Sequence, residues 1–277
     1  MVSQEQRRRQ LAREKFLRQQ QRRTQARRKA RMRNSVIASV LGVVVIGSVA
    51  LYTTGVLKND DDKKSNASAE ATPSAAPTSK APDPCAKPAA GSVKKLSWKK
   101  EPAMTIDTSA KYAMKLSTTC GDIGIALKTA AAPHTVNSFA FLAGKGFFDH
   151  TKCHRLTAEG IFVLQCGDPQ GTGMGGPGYT IPDENLKDAS LKGNKYPAGT
   201  VAMANTGQKH TGGSQFFLVY KDSPLPPSYT PFGTVDAAGM KVLDKIAKAG
   251  TQPADATTGN TAPNATVVIN KATVTKS

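Results

Sequence analysis

Beyond residue 33 this sequence almost lacks arginine: Arg155 is the only one that follows, although lysine is used freely to the end of the chain. A lone arginine among apolar and uncharged polar residues points to a need for the planar guanidinium fork, which the point charge of lysine cannot supply. The four cysteines include no C-x-x-C pair, and the four histidines are scattered, so the ligand spacing of a zinc site is missing and no metal is expected. The glycine-rich stretch from Gly171 to Gly178 has no Gly-Lys-Ser/Thr ending. It reads as a surface loop near a cleft rather than a phosphate loop. No repeat of fixed period is present, and no nucleophile stands in an evident pair with a base.

Charge is unevenly spread. Of the formal net +18, residues 1–34 carry +11, with thirteen Lys or Arg against two Glu; residues 95–277 carry +6, with nineteen against thirteen. The stretch from Val36 to Leu57 has no charge at all. As a helix it would span about 33 Å, against about 30 Å of bilayer hydrocarbon, and it is too long for the apolar core of a signal peptide. A single-pass transmembrane helix at 35–57 is therefore expected. The basic segment 1–34 would stay in the cytoplasm and the rest of the chain would lie outside the cell membrane. The basic run could instead be a nucleic-acid arm, but beside a membrane span topogenic charge accounts for it, and no nucleic acid is expected.

Residues 58–94 are rich in Ala, Ser, Pro, Thr, Asp and Lys. They hold too little apolar surface to offset the entropy of ordering and read as a disordered spacer. From 95 to 277 aromatic and β-branched residues return, enough for one core. Short alternating runs at Tyr112–Ser117 and Ile123–Lys128 predict a hairpin. Further strands are expected at Cys153–Thr157, Phe162–Cys166, Gly199–Ala204, Gln215–Tyr220 and Val267–Thr273. Two helices are expected, Val136–Lys145 capped by Thr135 and Ala237–Ala249 capped by Asp236 and ended by Gly250. The domain is thus mainly β, with an antiparallel sheet closed into a barrel and helices over its ends. In an oxidising compartment the cysteines can pair in three ways. If 153–157 and 162–166 form a hairpin, Cys153 meets Cys166, which leaves Cys85 for Cys120.

Cys153-His-Arg-Leu156, Phe162-Val-Leu-Gln-Cys-Gly-Asp168, Met203-Ala-Asn205, Gly213-Ser-Gln-Phe-Phe217 and Phe232-Gly-Thr-Val235 occur in that order. Together they resemble the cyclophilin peptidyl-prolyl isomerases over roughly 105–275. The resemblance implies a closed eight-stranded antiparallel barrel capped by two α-helices, cofactor-free cis-trans isomerisation of X-Pro bonds, and proline-containing polypeptides as partners of a monomer. It also implies site roles. Arg155 matches the catalytic arginine; Phe162, Val163, Phe217, Leu225 and Tyr229 match the proline pocket; Gln165, Ala204, Asn205 and Gln215 match the grip on the substrate backbone. The loop Thr157–Ile161 is longer than the family's usual one, and Tyr229 stands where many members have His.

Strand alternation qualifies these assignments. Phe216 should face opposite to Phe217 and belong to the core, and His154 should point away from Arg155 in a structural role. With the membrane anchor, the expectation is an isomerase assisting exported proteins. A proline-segment binding module or holdase is the alternative, which would need the apolar pocket but not the arginine.

Overall fold

The computed structural model describes residues 82–255 and 260–276. The expected transmembrane stretch and most of the spacer lie outside them. The hairpin is present: β1 (Tyr112–Thr118) and β2 (Gly121–Leu127) pair from Tyr112 opposite Leu127 to Thr118 opposite Gly121. Their alternation buries Met114 and Leu116 from one strand and Ile123, Ile125 and Leu127 from the other. The turn closes where the Thr118 hydroxyl donates to the Gly121 carbonyl at 2.6 Å, with Gly121 at a positive φ of 132°.

Seven further strands complete one antiparallel sheet: β3 (Thr151–Lys152), β4 (Arg155–Leu156), β5 (Val163–Cys166), β7 (Thr200–Met203), β8 (Phe216–Val219), β10 (Pro231–Val235) and β11 (Val268–Lys276). The order is β3-β11-β1-β2-β10-β7-β8-β5-β4, and β6 (Lys195–Tyr196) pairs with β9 (Ser223–Pro224) separately. The sheet curls into a half-barrel. The expected closed eight-stranded barrel is corrected here, because the nine-stranded ladder ends at β3 and β4 and no pairing joins them. These edges are two ends of one extended segment, interrupted at Cys153-His154. Across the gap single bonds substitute for a ladder: Cys153 N–H to the Val267 carbonyl at 3.0 Å and Leu156 N–H to the Thr261 carbonyl at 2.8 Å.

Strand β10 went unpredicted because Pro231 and Gly233 disguise it. Proline is tolerated at a strand's first residue. Gly233 is needed because a Cβ there would lie 2.7 Å from Ile125 Cγ2.

Helix α1 (Pro133–Gly144) begins earlier than expected. Thr135 is not its N-cap. Instead Glu184 reaches in from a distant loop and accepts from the N–H groups of His134 and Thr135 at 3.0 and 2.9 Å, and from the Thr135 hydroxyl at 2.8 Å. A carboxylate there satisfies orphan donors and suits the positive end of the helix dipole. Helix α2 (Ala237–Lys248) is capped as expected, the Asp236 carboxylate accepting from Gly239 N–H at 2.6 Å. The main core joins both helices to the concave sheet. Its centre is Phe139 on α1, with ring centroids 5.3 Å from Phe148, 5.4 Å from Phe216 and 4.5 Å from Phe232.

The domain also begins earlier than residue 95. Residues 82–94, which composition assigns to the spacer, are pinned to it. Cys85 is bonded to Cys120, Ala86 N–H donates to the Thr119 carbonyl, and Ala89 N–H donates to Asn270 Oδ1. The strap continues to Trp98, whose ring meets Phe141 edge-on at 5.0 Å. Both expected disulfides are formed, the second joining Cys153 to Cys166.

Candidate active site

Alternation along β8 separates two environments. Phe216 is fully buried in the main core, while Phe217 faces the other way, into a second apolar cluster with Val163, Tyr196, Ala202 and Val219. Tyr229 and Leu225 arrive from the loop after β9. The Phe217 and Tyr229 rings meet edge-on at 5.4 Å, and the Tyr196 hydroxyl fixes the Tyr229 backbone by donating to its carbonyl at 2.7 Å and accepting from its N–H at 3.0 Å. Burial pushes the Tyr196 phenol up to about 12.

Between these groups lies a pocket of about 120 Å³, lined by Arg155, Val163, Gln165, Ala204, Asn205, Phe217, Leu225 and Tyr229, together with Ile161. Eight of the expected site residues thus converge. Phe162 does not line the pocket. Its ring packs edge-on to Tyr220 at 5.9 Å and under the Lys221 ammonium at 4.6 Å. Period-two alternation is the reason: Ile161, Val163 and Gln165 share one face, and Phe162 belongs to the other. Alternation could have found Ile161 in advance; no local pattern marks Tyr196.

Arg155 lies opposite Gln165 in the β4–β5 ladder. Its Nη1 donates to Gln165 Oε1 at 3.2 Å, Gln165 Nε2 donates to Gln215 Oε1 at 2.9 Å, and Gln215 Nε2 donates to the Gly175 carbonyl at 2.9 Å. The guanidinium therefore rests on a neutral amide relay rather than a carboxylate. Burial pulls its pKa below the ordinary arginine value, countered by the nearby Tyr229. An arginine nonetheless keeps its charge in a protein, so a cation with no ion pair among the described residues stands at the pocket wall.

The far end of the relay is held by Asp168. This fully buried carboxylate accepts from the N–H groups of Gln170, Thr172 and Gly173 at 2.7, 2.9 and 2.6 Å. Burial alone would raise its pKa, but the backbone donors outweigh it and hold the group below the usual carboxylate range. Gly175 is required beside it, since a Cβ there would fall 1.9 Å from Asp168 Oδ1. The Asn205 side chain is committed, donating to the Ser228 carbonyl in the loop after β9 at 2.8 Å and accepting from Gly207 N–H at 3.0 Å. Ala204 and Asn205 both line the pocket.

His154 turns away from the pocket, and both its ring nitrogens are buried without a hydrogen-bond partner among the described residues. Among the described residues no group of three or more His, Cys, Asp or Glu is arranged to hold a metal ion.

The family described as "Cyclophilin type peptidyl-prolyl cis-trans isomerase/CLD" matches residues 113–274. "Probable peptidyl-prolyl cis-trans isomerase B" of Mycobacterium leprae is 50% identical over 167 residues, which are 57% of this chain and 55% of that protein. Its Mycobacterium tuberculosis counterpart is 50% identical over 149 residues, 51% of this chain and 48% of that protein. The chain thus spans about half the length of these curated relatives. "Peptidyl-prolyl cis-trans isomerase" of Synechococcus elongatus is 41% identical over 133 residues, which are 47% of this chain and 86% of that protein. With the matched region containing all but the extreme ends of the curled sheet, both helices and every residue of the pocket, the chain belongs to the cyclophilin-type peptidyl-prolyl cis-trans isomerase family.

Proposed function

We propose that this protein catalyses cis-trans isomerisation of X-Pro peptide bonds in polypeptides, with Arg155 as the catalytic residue and the pocket around Phe217 as the seat of the proline ring. The observation that carries the reading is the pairing of one small apolar pocket with one half-buried guanidinium whose hydrogen-bond partner is a neutral amide. Rotation about a peptide bond is slow because resonance must be broken, with a barrier of about 18–20 kcal/mol and uncatalysed X-Pro times of tens to hundreds of seconds. No bond is made or cleaved. As the bond twists, the imide nitrogen becomes pyramidal and gains a lone pair. An N–H of Arg155 stabilises that acceptor selectively, because it hardly exists in the planar ground state. Gln165 holds the guanidinium plane in place beforehand, so little reorganisation is needed during the reaction.

The pocket, lined by Ile161, Val163, Phe217, Leu225 and Tyr229, holds the pyrrolidine ring. Its volume is about 120 Å³. Gln215 and the main chain of Ala204 and Asn205 grip the flanking peptide, so that only one side of the bond turns. Capture without turnover would need the pocket but not the cation.

The clients are proposed to be exported proteins. Val36–Leu57 would anchor the chain with the basic segment 1–34 inside and the domain outside the cell membrane. Among the described residues no helix is long and apolar enough to cross a membrane, so the anchor is assigned from sequence alone. The test is an isomerisation assay on a short X-Pro peptide with the full-length protein. Catalysis that is lost in Arg155→Ala is the expected result; wild-type rates in that variant would refute the assignment.

A further inference from the structure

A second, larger cavity of about 940 Å³ continues from the proline pocket, sharing Gln165, Ala204 and Asn205 with it. Part of its wall comes from outside residues 113–274 that match the family. Lys99 and Lys100 of the N-terminal strap line it, facing the glycine-rich loop 173–178. The strap is fixed on both sides of these lysines. Before them, Trp98 N–H donates to the Pro177 carbonyl at 2.8 Å, and its ring packs on Phe141 and Phe147. After them, Glu101 meets His134 Nδ1 at 2.5 Å. The fit against the loop is close. A Cβ on Gly178, which has a φ of +90°, would lie 2.3 Å from Ser97 Oγ and 2.6 Å from the Trp98 carbonyl oxygen.

The charge of this wall is one-sided. Its charged residues are Lys99, Lys100 and Glu101, and Glu101 is engaged by His134, whose pKa that contact raises. Both lysines are exposed, and neither takes part in the ion pairs found among the described residues. We infer that the strap is a specificity element. Lys99 and Lys100 select polypeptides carrying an Asp or Glu near the isomerised proline in the sequence, since the two cavities abut through Gln165, Ala204 and Asn205. This inference rests on the proposed isomerase reading of the neighbouring pocket. It assigns the carboxylate to the substrate chain itself and asks nothing of the lysines in the chemical step.

The experiment compares X-Pro peptides bearing Ala, Glu or Lys at each of three positions on either side of the proline, using the full-length protein. Both kcat/KM and the Kd from titration are read. At low salt Glu at one position is expected to raise kcat/KM and tighten binding by about threefold to tenfold over Ala, and Lys to weaken both; the preference should shrink as salt screens the exposed charges. The double variant Lys99→Ala/Lys100→Ala should lose the preference while turning over the Ala peptide as the wild type does. Lys99→Glu/Lys100→Glu should reverse it. A Glu preference that survives both variants, or none at any position in the wild type, overturns the inference. If the wild type isomerised no peptide, the isomerase reading would fall separately, and the Kd comparison would still decide whether the lysines select for carboxylates.

Discussion

Arg155 stands where substitution separates chemistry from binding. Arg155→Ala should lower kcat/KM by about a hundredfold or more, the loss of one preorganised donor. Arg155→Lys should also be impaired, because an ammonium cannot both rest on Gln165 and present a second fixed N–H. Phe217→Ala enlarges the pocket and weakens ground-state and transition-state binding together, so its effect should fall largely on KM. Ile161→Ala should act in the same sense, whereas Phe162→Ala, whose ring packs on Tyr220, should leave KM close to wild type; a larger KM effect from Phe162 than from Ile161 would contradict the pocket described. Two histidines off the pocket should set opposite pH trends in stability. Burial holds His154 below its ordinary 6.5, with Asp168 opposing and Arg155 reinforcing. The unfolded chain therefore takes up the proton first, so stability is full above about 6.5 and is lost as pH falls towards the lowered folded value. His134 is raised from 6.5 by its hydrogen bond to Glu101. Its contribution is full below 6.5 and is lost as pH rises through the raised value. Urea unfolding between pH 5 and 8 should show a flatter acid limb for His154→Leu and a flatter alkaline limb for His134→Ala. An unchanged acid limb in His154→Leu would remove buried histidine as its cause.

At the level of elements, the two disulfides should differ in what their loss removes. Cys85–Cys120 closes a separation of 35 residues and holds the strap; Cys153–Cys166 closes 13 and holds the strand carrying Arg155 to the one carrying Gln165. Loop-closure entropy assigns about 4 kcal/mol to the first and about 3 kcal/mol to the second. Cys85→Ala/Cys120→Ala should therefore lower the domain's Tm by on the order of 10 °C and leave isomerisation of an uncharged peptide intact. Cys153→Ala/Cys166→Ala should depress both Tm and kcat/KM, and equal effects on activity from the two pairs would contradict this division. The second pairing was legible because alternation and a short hairpin bring Cys153 to Cys166; the first followed only by elimination. The elements that escaped prediction share a physical cause. Strand β10 is held by what packs against Gly233, the start of α1 is capped by Glu184 from far along the chain, and the strap is ordered by Trp98 and a disulfide rather than by its own composition. Each depends on a partner distant in sequence, which local periodicity cannot register. Residues fixed by a period of two, such as the opposed Phe216 and Phe217, were legible; Phe162, carried over by family position against that period, was misplaced.

For the whole molecule, the uneven charge has a consequence that can be tested without knowing any client. The thirteen basic residues of 1–34 precede the uncharged stretch Val36–Leu57. A basic flank of that size is retained on the cytoplasmic side, which would leave the domain outside, in the compartment where its two disulfides persist. From Lys58 to Cys85 the chain is short of apolar residues. Protease added outside intact cells should therefore digest the spacer and release the folded domain, leaving a small fragment containing 1–57 protected. The site of cutting should lie before Pro82, because from there the strap is held by Cys85 and the Asp83 carboxylate, which accepts from Thr266 N–H at 2.9 Å. Protection of the domain in intact cells, or its appearance as a soluble product in cells never exposed to protease, would rule out the anchored topology while leaving the chemistry of Arg155 untouched.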